Sequence, residues 1–213
     1  MSTRASQPPP SGPAPSASSA FRARGLLYVG TQTFFQERSS RGLAALTDEI
    51  GDPALRAFIT QKFVPMAWYD VLPVPDLIAA EARAVGMPLD AYLLHRTRWQ
   101  AKRDLGGVFA YLLRVASPAL VASQLPKVMT QMFDFARADV VEEGERERLV
   151  RFVDVPRALH PWLSTSLVVY AETAMRLAGA SSVDARSTGS TETGLRGGIP
   201  VGTLAVQLRW DAR

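Results

Sequence analysis

Two histidines, no cysteine and a scatter of carboxylates limit the chemistry that this chain of 213 residues can support. His95 has Asp90, Tyr92, Arg96 and Trp99 near it in sequence, the surroundings in which an imidazole oriented by a carboxylate acts as a general base. No nucleophile or metal partner stands beside it, so it reads as a packed or surface histidine. His160 precedes Pro161 and Trp162, where a helix start accounts for it. The two histidines fall in separate elements, without the i to i+4 pairing of a helical zinc motif. Gly189 and Gly194 have the spacing that opens a phosphate loop, but Leu195 and Arg196 hold the places where Lys and Ser or Thr are required. Ser187 to Gly198 therefore reads as a long flexible hairpin loop. Glu142, Glu143, Glu145 and Glu147 lack the Asp, Asn and Gly spacing of a calcium loop and suit the solvated tip of a hairpin. The lack of cysteine removes disulfides, thiolate zinc sites, iron–sulfur ligation and thiol nucleophiles together. No catalytic residue, metal site or cofactor is expected, and the protein is expected not to be an enzyme.

A second set of residues points to binding. Trp68, Tyr69, Tyr92, Trp99, Phe109 and Trp162, with His95 as a polar member, form a candidate ligand-binding set, because small-molecule pockets are mostly apolar with a few polar groups. Aromatic side chains also bury well in any core, so plain packing explains the same residues.

Charge sets further bounds. The 24 basic and 20 acidic residues are interspersed, as in Glu145, Arg146, Glu147 and Arg148, whereas nucleic-acid binding needs basic residues gathered on one face. The densest basic stretch, Arg96, Arg98, Lys102 and Arg103 around Trp99, reads as the polar face of a helix, and nucleic acid is not an expected partner. The longest apolar run, Leu163 to Leu177, is broken by Ser164, Ser166, Glu172 and Arg176 and falls short of the ~20 apolar residues of a bilayer span. Met1 to Ala20 contains no apolar core of a secretory signal, so a cytoplasmic location is expected. The scarcity of lysine beside arginine and alanine suggests a GC-rich bacterial genome.

The elements that would position these residues follow from punctuation and periodicity. Residues 1–23 are rich in Pro, Ser and Ala, with too little apolar surface to offset their ordering entropy, and read as a disordered tail ahead of a single domain at 24–213. Gly25 to Gly30 (GLLYVG) reads as a short buried strand, followed by a first helix interrupted near Gly42 and ended by Gly51. Asp52 and Pro53 open the next helix. Trp68 and Tyr69 lie in a proline-punctuated connector. Helices follow from Asp76 to Gly86, from Pro88 to Gly106, over Val108 to Val115 and over Pro118 to Phe135. Arg137 to Val141 and Leu149 to Val153 alternate as a hairpin around Gly144. Leu163, Leu167, Tyr170, Ala171, Ala174 and Leu177 then make a helical stripe, and Val183 to Ser187 and Thr203 to Trp210 read as two more strands. The order is a helix-rich N-terminal half followed by strand, strand, helix, strand, strand: an α+β domain with an antiparallel sheet.

With its GLLYVG run, the aromatic pair Trp68 and Tyr69, the glycine break at Gly106 and Gly107 and the final Gln207, Leu208, Arg209, Trp210, the chain resembles a large myxobacterial paralogous family of unknown function over roughly residues 24 to 211. More remotely, the element order is similar to the 4-vinyl-reductase domain, to vesicle-tethering subunits and to haem nitric-oxide-binding domains. That resemblance implies an internal cavity for small ligands or acyl chains, or an assembly surface. The cysteines of the 4-vinyl-reductase domains and the Tyr-x-Ser-x-Arg signature of the haem domains have no counterpart here. Two roles follow as expectations: a non-enzymatic sensory or regulatory domain binding a small apolar ligand, or an interaction module that docks a protein partner or a second copy.

Overall fold

The computed structural model describes residues 19–135 and 137–212, apart from the side chains of 107–109 and 212. The tail expected at the N-terminus lies largely outside the described residues, and packed structure is already present at Phe21, which is fully buried against Phe135.

Local sequence explains most element boundaries. A two-stranded ribbon pairs β1 (Arg22–Arg24) with β2 (Trp68–Asp70), so the aromatic connector is itself a short strand. Between them run α1 (Leu26–Arg38), α2 (Ala44–Thr47) and α3 (Pro53–Thr60). Asp52 caps α3, its carboxylate accepting from the Ala54 N–H at 2.8 Å, with Pro53 at the first helical position. Then come α4 (Val74–Val85) and α5 (Leu89–Asp104). Gly86 ends α4 in the left-handed conformation, φ 70°, and returns its N–H to the Arg83 carbonyl. Next are α6 (Gly107–Val115) and α7 (Pro118–Met132), the latter capped by Ser117 and carrying Pro126 inside it.

The C-terminal half is the expected α+β unit. Strands β3 (Arg137–Glu143) and β4 (Glu147–Pro156), helix α8 (His160–Leu177), and strands β5 (Ala180–Arg196) and β6 (Ile199–Ala212) build an antiparallel sheet in the order β3-β4-β6-β5. Val150 and Phe152 of β4 and Leu204, Val206 and Leu208 of β6 are fully buried on one face of this sheet. The α8 stripe of Leu163, Leu167, Ala171 and Met175 completes the core cluster.

Three expectations are corrected. GLLYVG is the first turn and a half of α1, not a strand. A short apolar run does not distinguish a strand from a buried helix, and Tyr28, Thr31, Phe34 and Phe35 show the helical spacing of its buried side. Gly30 has a packing reason, since an added Cβ would lie 2.5 Å from Gln100 Oε1 of α5. That first helix ends at Arg38 rather than continuing through Gly42, whose φ of 56° belongs to the turn before α2. The supposed loop Ser187 to Gly198 is mostly strand: pairing runs from Ser187↔Val206 to Arg196↔Ile199. Gly197 and Gly198, with φ of 58° and 80°, form the two-residue turn that suits the twist of a hairpin. Ser, Thr and Gly hide the alternation because this part of β5 is exposed and irregular, with register shifts at Ser187/Gly189 and Glu192/Gly194.

Candidate functional site

A cavity of about 630 Å³ lies among α1, α4, α5, α6, α7 and α8. Its size is within the range of small-molecule sites. Leu77 and Ile78 of α4, Leu125 and Met129 of α7, and Leu163 and Leu167 of α8 represent its largely apolar lining. Leu112, Leu120 and Val128 also line it yet are about half exposed, so the cavity opens to solvent beside α6 and α7.

One wall is polar, and its groups form a ladder. Glu81 projects from the apolar side of α4 and is 2% exposed. It accepts from the Thr31 hydroxyl at 3.0 Å and the Tyr92 hydroxyl at 2.6 Å. Arg96 Nε stands 3.9 Å from the same carboxylate, and Arg96 Nη1 donates to Gln100 Oε1 at 2.7 Å. Gln100 Nε2 donates to Asp104 Oδ1 at 2.7 Å, and the Tyr170 hydroxyl donates to Asp104 Oδ2 at 2.6 Å. The ladder thus ties α1, α4, α5 and α8 together, and all seven of its residues line the cavity. Arg96, Gln100 and Asp104 recur every four residues, which places them along one face of α5.

Burial governs the ionisation of this wall. Glu81 has its pKa raised by desolvation, against which Arg96 and the two hydroxyls act. Burial, with the neighbouring carboxylates, pushes the Tyr92 and Tyr170 phenols far up, so both remain hydrogen-bond donors. Arg96 Nε is buried without a hydrogen-bond partner.

The sequence-derived candidates are distributed unevenly about this cavity. Tyr92 and Trp162 stand in its wall. Trp99 is outside the lining, edge-on to Phe34 at 5.1 Å and facing the guanidinium of Arg96. His95 is exposed on α5, with Phe34 at 6.2 Å. Trp68 lies beneath Arg24, 3.7 Å from its ring centre, and Tyr69 packs edge-on to Phe63 while its hydroxyl accepts from the Val64 N–H. The Phe109 side chain lies outside the described residues. Glu81, Gln100, Asp104 and Tyr170 were not singled out from sequence as site residues. A carboxylate at position 81 between Leu77, Ile78 and Ala82 was the readable sign, because a charge on an apolar helix face needs a buried partner.

His160 has a separate environment. Its Nε2–H donates to the Val155 carbonyl at 3.1 Å, which leaves Nδ1 to accept from the Ser190 hydroxyl at 2.5 Å. Desolvation holds its pKa below the usual histidine value. The adjoining bulge in β4 carries Asp154 at φ 58°, and Gly202 of β6 approaches so closely that a Cβ would meet His160 Cε1 at 3.1 Å and the Thr191 carbonyl at 2.3 Å.

No protein-family model matches the chain, and no curated protein matches it. Solved structures do. A Cs H-NOX mutant carrying 4-cyano-L-phenylalanine superposes with a TM-score of 0.61 at 10% identity, over 88% of this chain and 96% of that one. The fold is that of the H-NOX domains. An oxygen-binding H-NOX domain related to soluble guanylate cyclases, in its oxygen complex, gives 0.60 at 9% identity over 88% and 94%. An Fe(II) unliganded H-NOX protein from K. algicida gives 0.52 at 9% identity over 89% and 97%.

The H-NOX fold implies haem, and the residues around this cavity do not fit it. Haem iron is held by imidazole, thiolate or phenolate, or by a thioether opposite an imidazole. The chain has no cysteine, and neither His95 nor His160 lines the cavity. The lining tyrosines Tyr28, Tyr92 and Tyr170 are held as buried phenols, donating to the Asp70 carbonyl, Glu81 and Asp104 respectively. The thioethers of Met129, Met132 and Met175 have no imidazole to act with.

Proposed function

We propose that this protein is a non-enzymatic sensory domain that holds a small, largely apolar organic ligand in the cavity and reports its occupancy. The observation that carries this reading is a cavity of about 630 Å³, apolar on most sides, with one hydrogen-bonded polar wall fed by four helices. An apolar body would be driven in by burial of its surface, and a polar tip would meet the wall at Arg96 or Gln100. Tyr92 and Trp162, from the candidate set, would contact the bound molecule. Occupancy would be felt by α8 through the Tyr170–Asp104 bond, and α8 packs directly on β5 and β6. A ligand shifts such an arrangement only as far as it binds one state better than the other. The likeness of fold to an oxygen-binding H-NOX domain agrees with a sensing role.

Native mass spectrometry of the purified chain, followed by thermal shift with the molecules it releases, tests the proposal. At a hundredfold excess over Kd, a ligand specific to the folded state adds about 2.7 kcal/mol, roughly 5–10 °C in Tm for a chain of this size. If no bound molecule is found and no apolar probe raises Tm, the ligand reading fails, and a module that docks a protein partner or a second copy becomes the better account.

A further inference from the structure

The segment that includes α5, α6 and α7 is rich in basic residues. Between Asp90 and Asp134 the chain carries six Lys or Arg residues against one acid, Asp104, so this segment is +5 while the whole chain is +4. Asp104 is engaged inward by Gln100 and Tyr170, and Arg96 belongs to the same ladder. The other five, Arg98, Lys102, Arg103, Arg114 and Lys127, are exposed, and none forms an ion pair among the described residues. Arg98 and Lys102 lie on the side of α5 away from Arg96, Gln100 and Asp104, whereas Arg114 and Lys127 belong to α6 and α7, beside which the cavity opens.

The same region exposes apolar side chains. Tyr111, Leu112 and Val115 of α6 are 66%, 53% and 70% exposed, and Leu120 of α7 is 51% exposed. On α6 they occupy positions i, i+1 and i+4, one side of the helix, with Arg114 at its edge. Leu112 and Leu120 also form the rim of the cavity. Exposed apolar side chains bordered by basic residues with no exposed acid among them match an interface of hydrocarbon beneath anionic headgroups.

The geometry points to α6 and the start of α7 as a docking surface for an anionic lipid bilayer, on which the apolar cavity opens directly toward the acyl region. Tyr111, Val115 and Leu120 enter the interface, while Arg114 and Lys127 meet the phosphates and carboxylates of the headgroups. No helix among the described residues is long and apolar enough to cross a membrane, so the contact is peripheral. This goes beyond the ligand reading by naming the surface from which an amphiphilic ligand would enter.

Flotation of the full chain with phosphatidylcholine vesicles, with and without 30% phosphatidylserine, tests it. Binding is expected only to the serine-containing vesicles and should fall sharply between 0.15 and 0.5 M salt. Each basic residue contributes about fivefold, so Arg114→Gln with Lys127→Gln should weaken binding about 30-fold. Tyr111→Ser with Val115→Ser should lose binding at unchanged Tm. Equal binding to both vesicle types, no binding to either, or full binding by the Tyr111/Val115 variant overturns the inference. So does a stable dimer that the Tyr111/Val115 variant dissolves, which would make a second copy the occupant. So would duplex DNA that competes for the chain and ignores the Tyr111/Val115 change. A soluble apolar probe that raises Tm in a chain that ignores vesicles would remove this inference alone and leave the ligand reading standing.

Discussion

Replacing Tyr170 by Phe isolates the one hydrogen bond through which the polar wall reaches α8. The change removes a single oxygen, which donates to Asp104 Oδ2 at 2.6 Å, and leaves the ring in place. A hydrogen bond to a charged acceptor contributes about 1.5–3 kcal/mol. At about 2–4 °C per kcal/mol for a chain of this length, the expected fall in Tm is roughly 3–12 °C. The size of the fall alone does not identify the bond, because any loss of packing has the same sign. A double-mutant cycle does. With Asp104→Ala, Tyr170→Phe and the pair measured by urea denaturation, loss of the Tyr170 hydroxyl should cost little once the carboxylate is gone, a coupling of about 1–2 kcal/mol. Additive effects within about 0.5 kcal/mol would show that the bond contributes nothing to the folded state and would remove α8 from the ladder.

Three further outcomes follow. Because His160 has a depressed pKa when folded, the unfolded chain binds more protons, so its contribution is intact above about pH 6.5 and is lost as pH falls through the folded value; urea midpoints from pH 8 to pH 5 should drop more for the parent than for His160→Gln, and parallel profiles would exclude His160 as the cause. Gly30→Ala should gain up to about 1 kcal/mol of helix propensity but displace Gln100 from both Arg96 and Asp104, for a net loss of about 1–2 kcal/mol that vanishes in a Gln100→Ala background; a simple gain in both backgrounds would show that Gln100 moves aside freely. Ala174→Phe, on the cavity wall, should abolish any ligand-dependent rise in Tm while leaving the unliganded Tm within about 2 °C, whereas an undiminished rise in thermal shift would place the ligand elsewhere.

The α+β order was readable because its signals are local. Asp52 before Pro53, Gly86 after Val85 and the stripe from Leu163 to Leu177 each specify a boundary or a face without reference to the rest of the chain. The errors came where tertiary contacts decide. GLLYVG has the composition of a buried strand, but the closeness of Gly30 to Gln100 is a property of two helices meeting. The 187–198 stretch lacks an apolar face because β5 projects there into solvent, where pairing with β6 alone keeps it extended. The candidate set drawn from the sequence is mainly aromatic. Trp68, Tyr69 and Trp99 are consumed by packing and cation contacts, while the polar wall is made of Glu, Arg, Gln and Asp, which look like surface residues on α4 and α5 until the facing helices are known.

The wall sets this cavity apart from a haem site. In a haem site an iron ligand fixes the cofactor, and the surrounding groups tune it. Here the cavity lies among the helices, but the positions facing it supply a carboxylate with two hydroxyl donors, a guanidinium with one unpaired N–H, and a second carboxylate bound to α8. None of these groups is an imidazole, and among the described residues no group of three or more His, Cys, Asp or Glu side chains is arranged for a metal ion. On the proposed reading the wall would respond to a polar tip, because a ligand that accepts a hydrogen bond from Arg96 would compete with Glu81 and Gln100 for the same guanidinium. Any such competition would reach Asp104 and Tyr170 through the hydrogen bonds of Gln100. On the proposed reading, the ladder would be the element whose rearrangement distinguishes the occupied state from the empty one.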